Sequence, residues 1–325
     1  MNITIIIPTY NRSELLGKTL EGIGQQTESA CIKEVIVVSD GSTDATREAA
    51  ERFSGRLPLR VLEQARLGVS RARNYGLREA KSEVVLFLDD DIVPGPRLVA
   101  EHAKFHQEMP CLEAVLMGYV TWHPDVTVTP FMRWFGEYGG LCAFSLLKEN
   151  QRADPRYLYT CNASFKTEFL RANHGFTEGL SVLEDHELAY RLAKRGMLFF
   201  FRRSAIGYHN QSFTFEQACE RLRRFSVGLE TFLSTEAGQK MAQKKGRVAV
   251  RSMEAAARFA VKLVSPLRPL IDSNLPMPNW LYRLFYWYYG TYLSYWSRVP
   301  ASVWKSQNRE DWPGHAHAER RRDRG

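Results

Sequence analysis

The apolar residues in the first two thirds of the chain gather in short unbroken runs. Ile3, Ile5, Ile6 and Ile7 belong to the first, stopped by Pro8; others lie at residues 35–38, 84–88, 114–121 and 198–201, with a weaker one at 60–62. A run of strand length without alternation predicts a strand covered on both faces, as in a parallel sheet between helices. Between the runs the period changes. Leu15, Leu16 and Leu20, residues 68–80, Leu98 with Val99 and His102, and Leu188 with Arg191, Leu192 and Arg195 follow helical spacing. Strands alternating with helices over at least four units predict βαβ crossovers, so residues 1–212 read as an α/β domain with a Rossmann-like, mostly parallel central sheet flanked by helices. Residues 122–159 break the rhythm. Trp122, Phe131, Trp134, Phe135 and Tyr138 sit there among glycines and prolines with weak periodicity, and the stretch stays unplaced, a mobile loop over a site being one reading.

After Phe213 the character changes. Residues 215–233 are helical in spacing with Arg221, Arg223 and Arg224 clustered; residues 247–264 set Arg247, Arg251, Arg258 and Lys262 against Val250, Ala257, Val261 and Val264. Pro266, Pro269, Pro276 and Pro278 mark a broken linker, residues 280–304 hold eleven aromatic side chains, and the arginine-rich tail at 320–324 reads as disordered. Residues 213–325 are therefore a second region, a basic, aromatic-rich helical extension. The charge agrees with this division: Lys and Arg number 25 against 26 Asp and Glu up to residue 212, and 19 against 10 beyond it. The excess describes what the extension meets rather than the fold. Basic helices followed by Trp and Tyr fit peripheral contact of residues 213–312 with an anionic bilayer; a helical cap or a homodimer interface built on the same aromatics fits equally.

Five cysteines, odd in number and never in a Cys-x-x-Cys pair, indicate neither a disulfide framework nor a zinc site. The N-terminal apolar run is too short for a secretory signal, and no window approaches the roughly twenty apolar residues a membrane span needs. The expected setting is cytoplasmic, with any membrane contact on its inner face.

The chemistry concentrates at strand ends. Asp89, Asp90 and Asp91 follow the apolar run 84–88 directly, and three repelling carboxylates cannot follow a strand into a core. Past the carboxyl end of a parallel strand they can hold a divalent cation that neutralises a phosphate, or form a solvated capping turn. Ser39-Asp40-Gly41-Ser42-Thr43-Asp44 ends the second strand and is equally what a tight turn into a helix contains. Glu184 and Asp185 open a helix, where the dipole alone favours acids. His209 follows the last strand.

The order of these pieces resembles the family 2 glycosyltransferases, inverting enzymes of the GT-A fold that use nucleotide-diphosphate sugars. It is carried by Pro8-Thr9-Tyr10-Asn11-Arg12, by Asp40-Gly41-Ser42-Thr43-Asp44, by the loop with Ala72-Arg73-Asn74, by Asp89-Asp90-Asp91, by Asn162-Ala163-Ser164-Phe165-Lys166, and by Glu184-Asp185 with a later histidine. The resemblance implies a donor linked to UDP, GDP or dTDP, with Pro8, Thr9, Tyr10 and Asp40 around the base and ribose and Arg73 on the nucleotide. It places Asp89 at the ribose, Asp90 in an ambiguous middle position, and Mn²⁺ or Mg²⁺ on Asp91, with His209 as a further ligand. Asp185 would be the general base and Glu184 would orient a glycan or lipid-linked acceptor. Ser39 stands where many members carry another Asp. A nucleotidyltransferase of related fold would open on a Gly-rich basic loop, which Pro-Thr-Tyr-Asn is not; a non-catalytic nucleotide-sugar binder, or a nucleic-acid binder using the basic third, are the readings from other classes. The neutral α/β domain with its acidic strand end speaks against a nucleic-acid partner.

Overall fold

Ile-Thr-Ile-Ile-Ile-Pro-Thr forms β1 (Ile3–Thr9), all seven residues buried. It runs through the middle of one half of an eight-stranded sheet in the computed structural model, which describes residues 1–138, 141–242 and 265–287. The chain continues through α1 (Ser13–Gly24), β2 (Ile32–Asp40), α2 (Thr46–Glu51), β3 (Leu59–Gln64), α3 (Val69–Glu79), β4 (Val84–Leu88), β5 (Ile92–Pro94), α4 (Leu98–Glu108), β6 (Ala114–Trp122), α5 (Pro130–Glu137), β7 (Asn162–Lys166), α6 (Thr167–Ala172), α7 (Glu184–Lys194) and β8 (Leu198–His209), then α8 (Phe215–Leu233) and α9 (Glu236–Ala242). A further helix spans Asn279–Trp287.

The strand order is β3-β2-β1-β4-β7-β6-β8-β5. β1 pairs in parallel with β2 and β4, β2 with β3, and β6 with β8, whereas β7 is antiparallel to β4 and β6, and β5 is antiparallel to β8. Six of the eight strands thus share a direction, and β1, β2, β4, β6 and β8 release their carboxyl ends at one edge. The antiparallel β7 presents its first residue, Asn162, at that same edge, opposite Leu88.

Helix packing fixes what arrives there. Leu16, Leu20 and Ile23 are the buried stripe of α1. On α3 the equivalent face includes Gly76, where a Cβ would stand 2.4 Å from Ile6 Cγ2, so this helix lies closer to β1 than any side chain would allow. Asn74 on the same helix pairs with both backbone polar groups of Phe176, at 2.9 Å each. The result is a rigid α3 whose Arg73 is delivered to the sheet edge.

β7 is the strand that its sequence conceals. Asn162, Ser164 and Lys166 are buried, and two buried histidines of α4 explain how: His102 bonds Ser164 Oγ at 2.7 Å and Asn162 Oδ1 at 2.9 Å, and His106 bonds Ser164 Oγ at 2.9 Å. Asn162 Nδ2 donates to Ala205 O at 2.9 Å. Its amide therefore turns Oδ1 to His102, which must donate from Nε2 and accept at Nδ1.

Cα packing divides the described chain into two units, residues 1–126 with 147–211, and residues 127–146 with the segments after 211. In the second, Phe131, Trp134 and Phe135 find their place. Phe131 stacks on Phe135 at 5.6 Å, Trp134 on Tyr282 at 5.8 Å, and Phe131 meets Phe215 edge-on at 5.6 Å. Tyr282 and Phe285 are buried core, while Trp280 is 62% exposed. α8 begins at a capping box of Thr214 and Gln217. The helix expected at 247–264, the aromatics after Trp287 and the arginine-rich tail lie outside the described residues. None of the five cysteines forms a disulfide. Among the described residues no helix is long and apolar enough to cross a membrane.

Candidate active site

β4 ends at Leu88 and the three carboxylates turn away from the strand in different directions. Asp89 N donates to Cys161 O at 3.2 Å, tying the turn to the start of β7. Asp90 points back beneath β1, accepting from Thr9 Oγ1 at 2.8 Å and Arg12 Nη1 at 2.8 Å, while its carbonyl accepts from Thr19 Oγ1 at 2.8 Å. Burial pushes its carboxyl up to about 6 against the pull of Arg12. Asp91 accepts from the same Arg12 Nη1 at 3.0 Å and lies 3.6 Å from Nε2 of His209. The pairing of Ile92 with His209 across β5 and β8 sets that proximity, and Trp122, paired with His209 across β6 and β8, brings its ring to 5.4 Å from the imidazole.

On the other flank α7 starts after Leu183, whose backbone is left-handed (φ 59°, ψ 18°). A branched residue held there is strained, and the strain sits directly before the acids that open the helix. Asp185 accepts from Thr160 twice, from the backbone N–H at 3.2 Å and from Oγ1. Glu184 accepts from Arg73 Nη1 at 3.0 Å, which is also 3.7 Å from Asp185 Oδ1. The other arm of the same guanidinium, Nη2, donates to Asp89 Oδ1 at 3.0 Å. Arg73 is only 3% exposed and lies over the Phe176 ring at 5.3 Å. Its charge is locked in by three carboxylates. Burial, and then the neighbouring Glu184, push the Asp185 carboxyl up to about 7, with Arg73 and Thr160 opposing.

Towards β2, Asp40 is committed to the chain itself: it accepts from Gln64 Nε2 at 2.7 Å, Leu67 N at 2.8 Å and Gly68 N at 3.0 Å, fastening the loop that enters α3. Tyr10 carries the Arg66 guanidinium on its ring face at 3.7 Å. Pro8 and Thr9 are the buried end of β1.

All the residues singled out from sequence therefore stand at one edge of the sheet. Asp89, Arg73, Glu184 and Asp185 form one linked group, and Asp91 and His209 another. Asp90 and Asp40 face internal partners. Sequence reasoning passed over Arg12, Thr160 and Arg66. Arg12 stood inside a recognised turn, but which acid it would meet depended on a contact across 78 positions; Thr160 and Arg66 carried no signal.

Among the described residues no three His, Cys, Asp or Glu side chains gather around a common point for an ion. Asp91 with His209 supplies one carboxylate and one imidazole, a donor pair that fits a cation completing its shell with water and substrate oxygens. Imidazole nitrogen suits Mn²⁺ better than Mg²⁺.

The profile described as Glycosyl transferase family 2 matches residues 4–169, just over half of the chain. The chain belongs to glycosyl transferase family 2. It is 29% identical over 240 residues to the validoxylamine A glucosyltransferase of Streptomyces hygroscopicus subsp. jinggangensis, covering 63% of this chain and 54% of that protein. It is 34% identical over 110 residues to the poly(ribitol-phosphate) beta-N-acetylglucosaminyltransferase TarS of Staphylococcus aureus, covering 33% of this chain and 19% of TarS. The chain thus spans about half, or less, of the length of these curated relatives. Among solved structures, the mannosyltransferase PcManGT of Pyrobaculum calidifontis in complex with GDP-Man and Mn²⁺ superposes with TM-score 0.59 at 19% identity over 92% of this chain and 88% of that one. S. aureus TarS 1–349 in complex with UDP-GlcNAc gives 0.54 at 22% over 74% and 70%. These likenesses establish the GT-A fold.

Proposed function

We propose that this family member is an inverting glycosyltransferase that moves a sugar from a nucleoside-diphosphate donor to an acceptor hydroxyl, with Asp185 as general base. The observation that carries the reading is the single guanidinium of Arg73 between Asp89, at the end of β4, and Glu184 with Asp185, at the start of α7. A donor-side acid and a base candidate are thereby held within one side chain's reach. Relatives named as glucosyl- and N-acetylglucosaminyltransferases, and structural neighbours holding UDP-GlcNAc or GDP-Man, support a nucleotide-sugar donor.

In this reading the ionised Asp185, oriented by the two Thr160 donors, takes the proton of the acceptor hydroxyl while that oxygen bonds to the anomeric carbon. The bond from that carbon to the diphosphate oxygen breaks on the opposite face, and the nucleoside diphosphate departs with the electron pair. A carboxyl near neutrality is matched to this task, since both its ionised fraction and its basicity are then substantial. Asp91 and His209 would hold the divalent cation, whose positive charge offsets that gathering on the leaving diphosphate.

Asp185→Asn is the test. It should lower transfer by a factor on the order of a hundred to ten thousand, the usual contribution of a general base, while a panel of UDP-, GDP- and dTDP-sugars with Mn²⁺ raises its melting temperature as it does for the native chain. Transfer retained in this variant would overturn the assignment. The acceptor is proposed to be a glycan or a lipid-linked sugar, reached from an anionic bilayer through the second unit. Exposed Leu267, Leu270, Leu275 and Trp280 in that unit support this. Sedimentation with anionic vesicles that is unchanged by Leu275→Ala with Trp280→Ala would refute it.

A further inference from the structure

We propose that Arg73 is the positioning residue of the base: it holds Glu184 beside Asp185 and sets a positive charge against both carboxylates. The inference rests on the reading of Asp185 above and assigns Arg73 a role other than contact with the nucleotide. Its first support is geometric. Each terminal nitrogen donates to a carboxylate of the protein, Nη1 to Glu184 and Nη2 to Asp89, each at 3.0 Å, and the side chain is buried. The guanidinium thus bridges the end of β4 and the start of α7.

Its second support is the arrangement of charge. Asp185 is faced from its own helix by Glu184; His186, the next residue, packs by Tyr159 and is kept neutral at ordinary pH by burial. Glu187, also on α7, is turned away to Thr177 Oγ1 at 2.7 Å and Arg191 Nε at 2.7 Å. From α3 comes Arg73, from the β4 end Asp89, and from the segment before β7 the uncharged Thr160; Arg156, on the short turn packed against α7, is paired with Asp154. Three carboxylates thus converge on one cation. Take that cation away and the like charge of Glu184 remains beside Asp185 unopposed, so the proton returns to it.

Third, the backbone makes the position exact enough to matter. Gly76 sets α3 against β1, and Asn74 ties the same helix turn to Phe176, so the turn that carries Arg73 is fixed from two sides.

The test reads the acidity of Asp185 directly, by carboxyl-carbon NMR of protein labelled at aspartate, the resonance being identified by its absence in Asp185→Asn. Arg73→Gln should raise the Asp185 midpoint by at least about one unit, a tenfold change in the proton equilibrium. Arg73→Lys should return it most of the way, and Glu184→Gln, which removes a like charge but keeps an acceptor for Arg73, should lower it. The acidic limb of nucleoside diphosphate release from UDP-glucose, UDP-N-acetylglucosamine or GDP-mannose with Mn²⁺ should move in the same directions. A residue that merely supports the fold would lower activity equally at every pH and leave the midpoint in place, and that result overturns the inference. Should Arg73→Gln fail to fold by circular dichroism, Glu184→Gln and Arg73→Lys decide on the same readout: an unmoved midpoint in Glu184→Gln overturns it. An inactive Asp185→Asn with unmoved midpoints removes this inference alone; an active Asp185→Asn removes the base assignment beneath it.

Discussion

Replacing Thr160 by Val exchanges a hydroxyl for a methyl group at a site with no exposed surface, leaving the backbone N–H bond to Asp185 in place. What disappears is one O–H donor aimed at a carboxylate oxygen. A hydrogen bond to an ionised group stabilises it by about 1.5–3 kcal/mol, which at about 1.4 kcal/mol per pH unit raises the carboxyl by roughly one to two units. Asp185 starts at about 7. A further rise of one to two units from there lowers the ionised fraction at pH 7, so kcat/KM at pH 7 should fall by up to roughly ten- to a hundredfold. At pH 9.5 the variant is again mostly ionised and should recover to within about twofold to threefold of the native rate. The assay is a pH series of kcat/KM with a donor selected by thermal shift. A loss of the same factor at pH 7 and pH 9.5 would show instead that Thr160 positions the segment without bearing on the acidity of Asp185.

Two other outcomes follow from the geometry. Asp91→Asn and His209→Ala should each abolish most of the rise in melting temperature that Mn²⁺ gives in the presence of a nucleoside diphosphate, while Asp90→Asn should leave it largely intact; equal losses in all three would remove the distinction between the metal-facing and inward-facing acids. His102 and His106 are buried and neutral, with burial lowering them to about 4 and about 3. Unfolded, they titrate near 6.5, so the stability they confer is complete above that value and is lost as the pH falls below it; at pH 5 the loss is about 2 kcal/mol for each. The raised carboxyls of Asp90 and Asp185 act in the opposite sense, adding stability as the pH falls, so the comparison must be made between variants. His106→Phe should flatten the change in urea-unfolding free energy between pH 7.5 and pH 5 by about 2 kcal/mol, and an unaltered slope would show that His106 is not the neutral buried group described.

How much of this was legible beforehand divides along a physical line. β1, β2, β4 and β6 are buried on both faces, so their residues are apolar one after another and the pattern announces them. β7 reads Asn-Ala-Ser-Phe-Lys, and only the histidines of α4 make its polar residues compatible with burial; no local pattern can report a partner 60 positions away. β5 is three residues long and pairs with a strand more than a hundred positions later. The aromatic segment around Phe131 and Trp134 has the spacing of a short helix, but its packing partners, Phe215 and Tyr282, lie far along the chain. At the site, the acids could be found because clustered carboxylates at a strand end have few structural uses. The groups that govern them, Arg12 and Thr160, look ordinary in sequence because their importance comes from what they touch.

In the proposed reaction the acids gathered by Arg73 serve transfer, with Asp185 as the group that accepts the proton. This role is tested most directly by a side-by-side measurement on Asp185→Asn of donor binding by calorimetry, using the nucleotide sugar that gives the largest thermal shift with Mn²⁺, and of sugar transfer from that same donor. The prediction is a Kd within about threefold of native, since Asp185 lies on the side of Arg73 away from Asp89, together with a loss of transfer on the order of a hundredfold or more. Native-like transfer by this variant, at any pH, would contradict it.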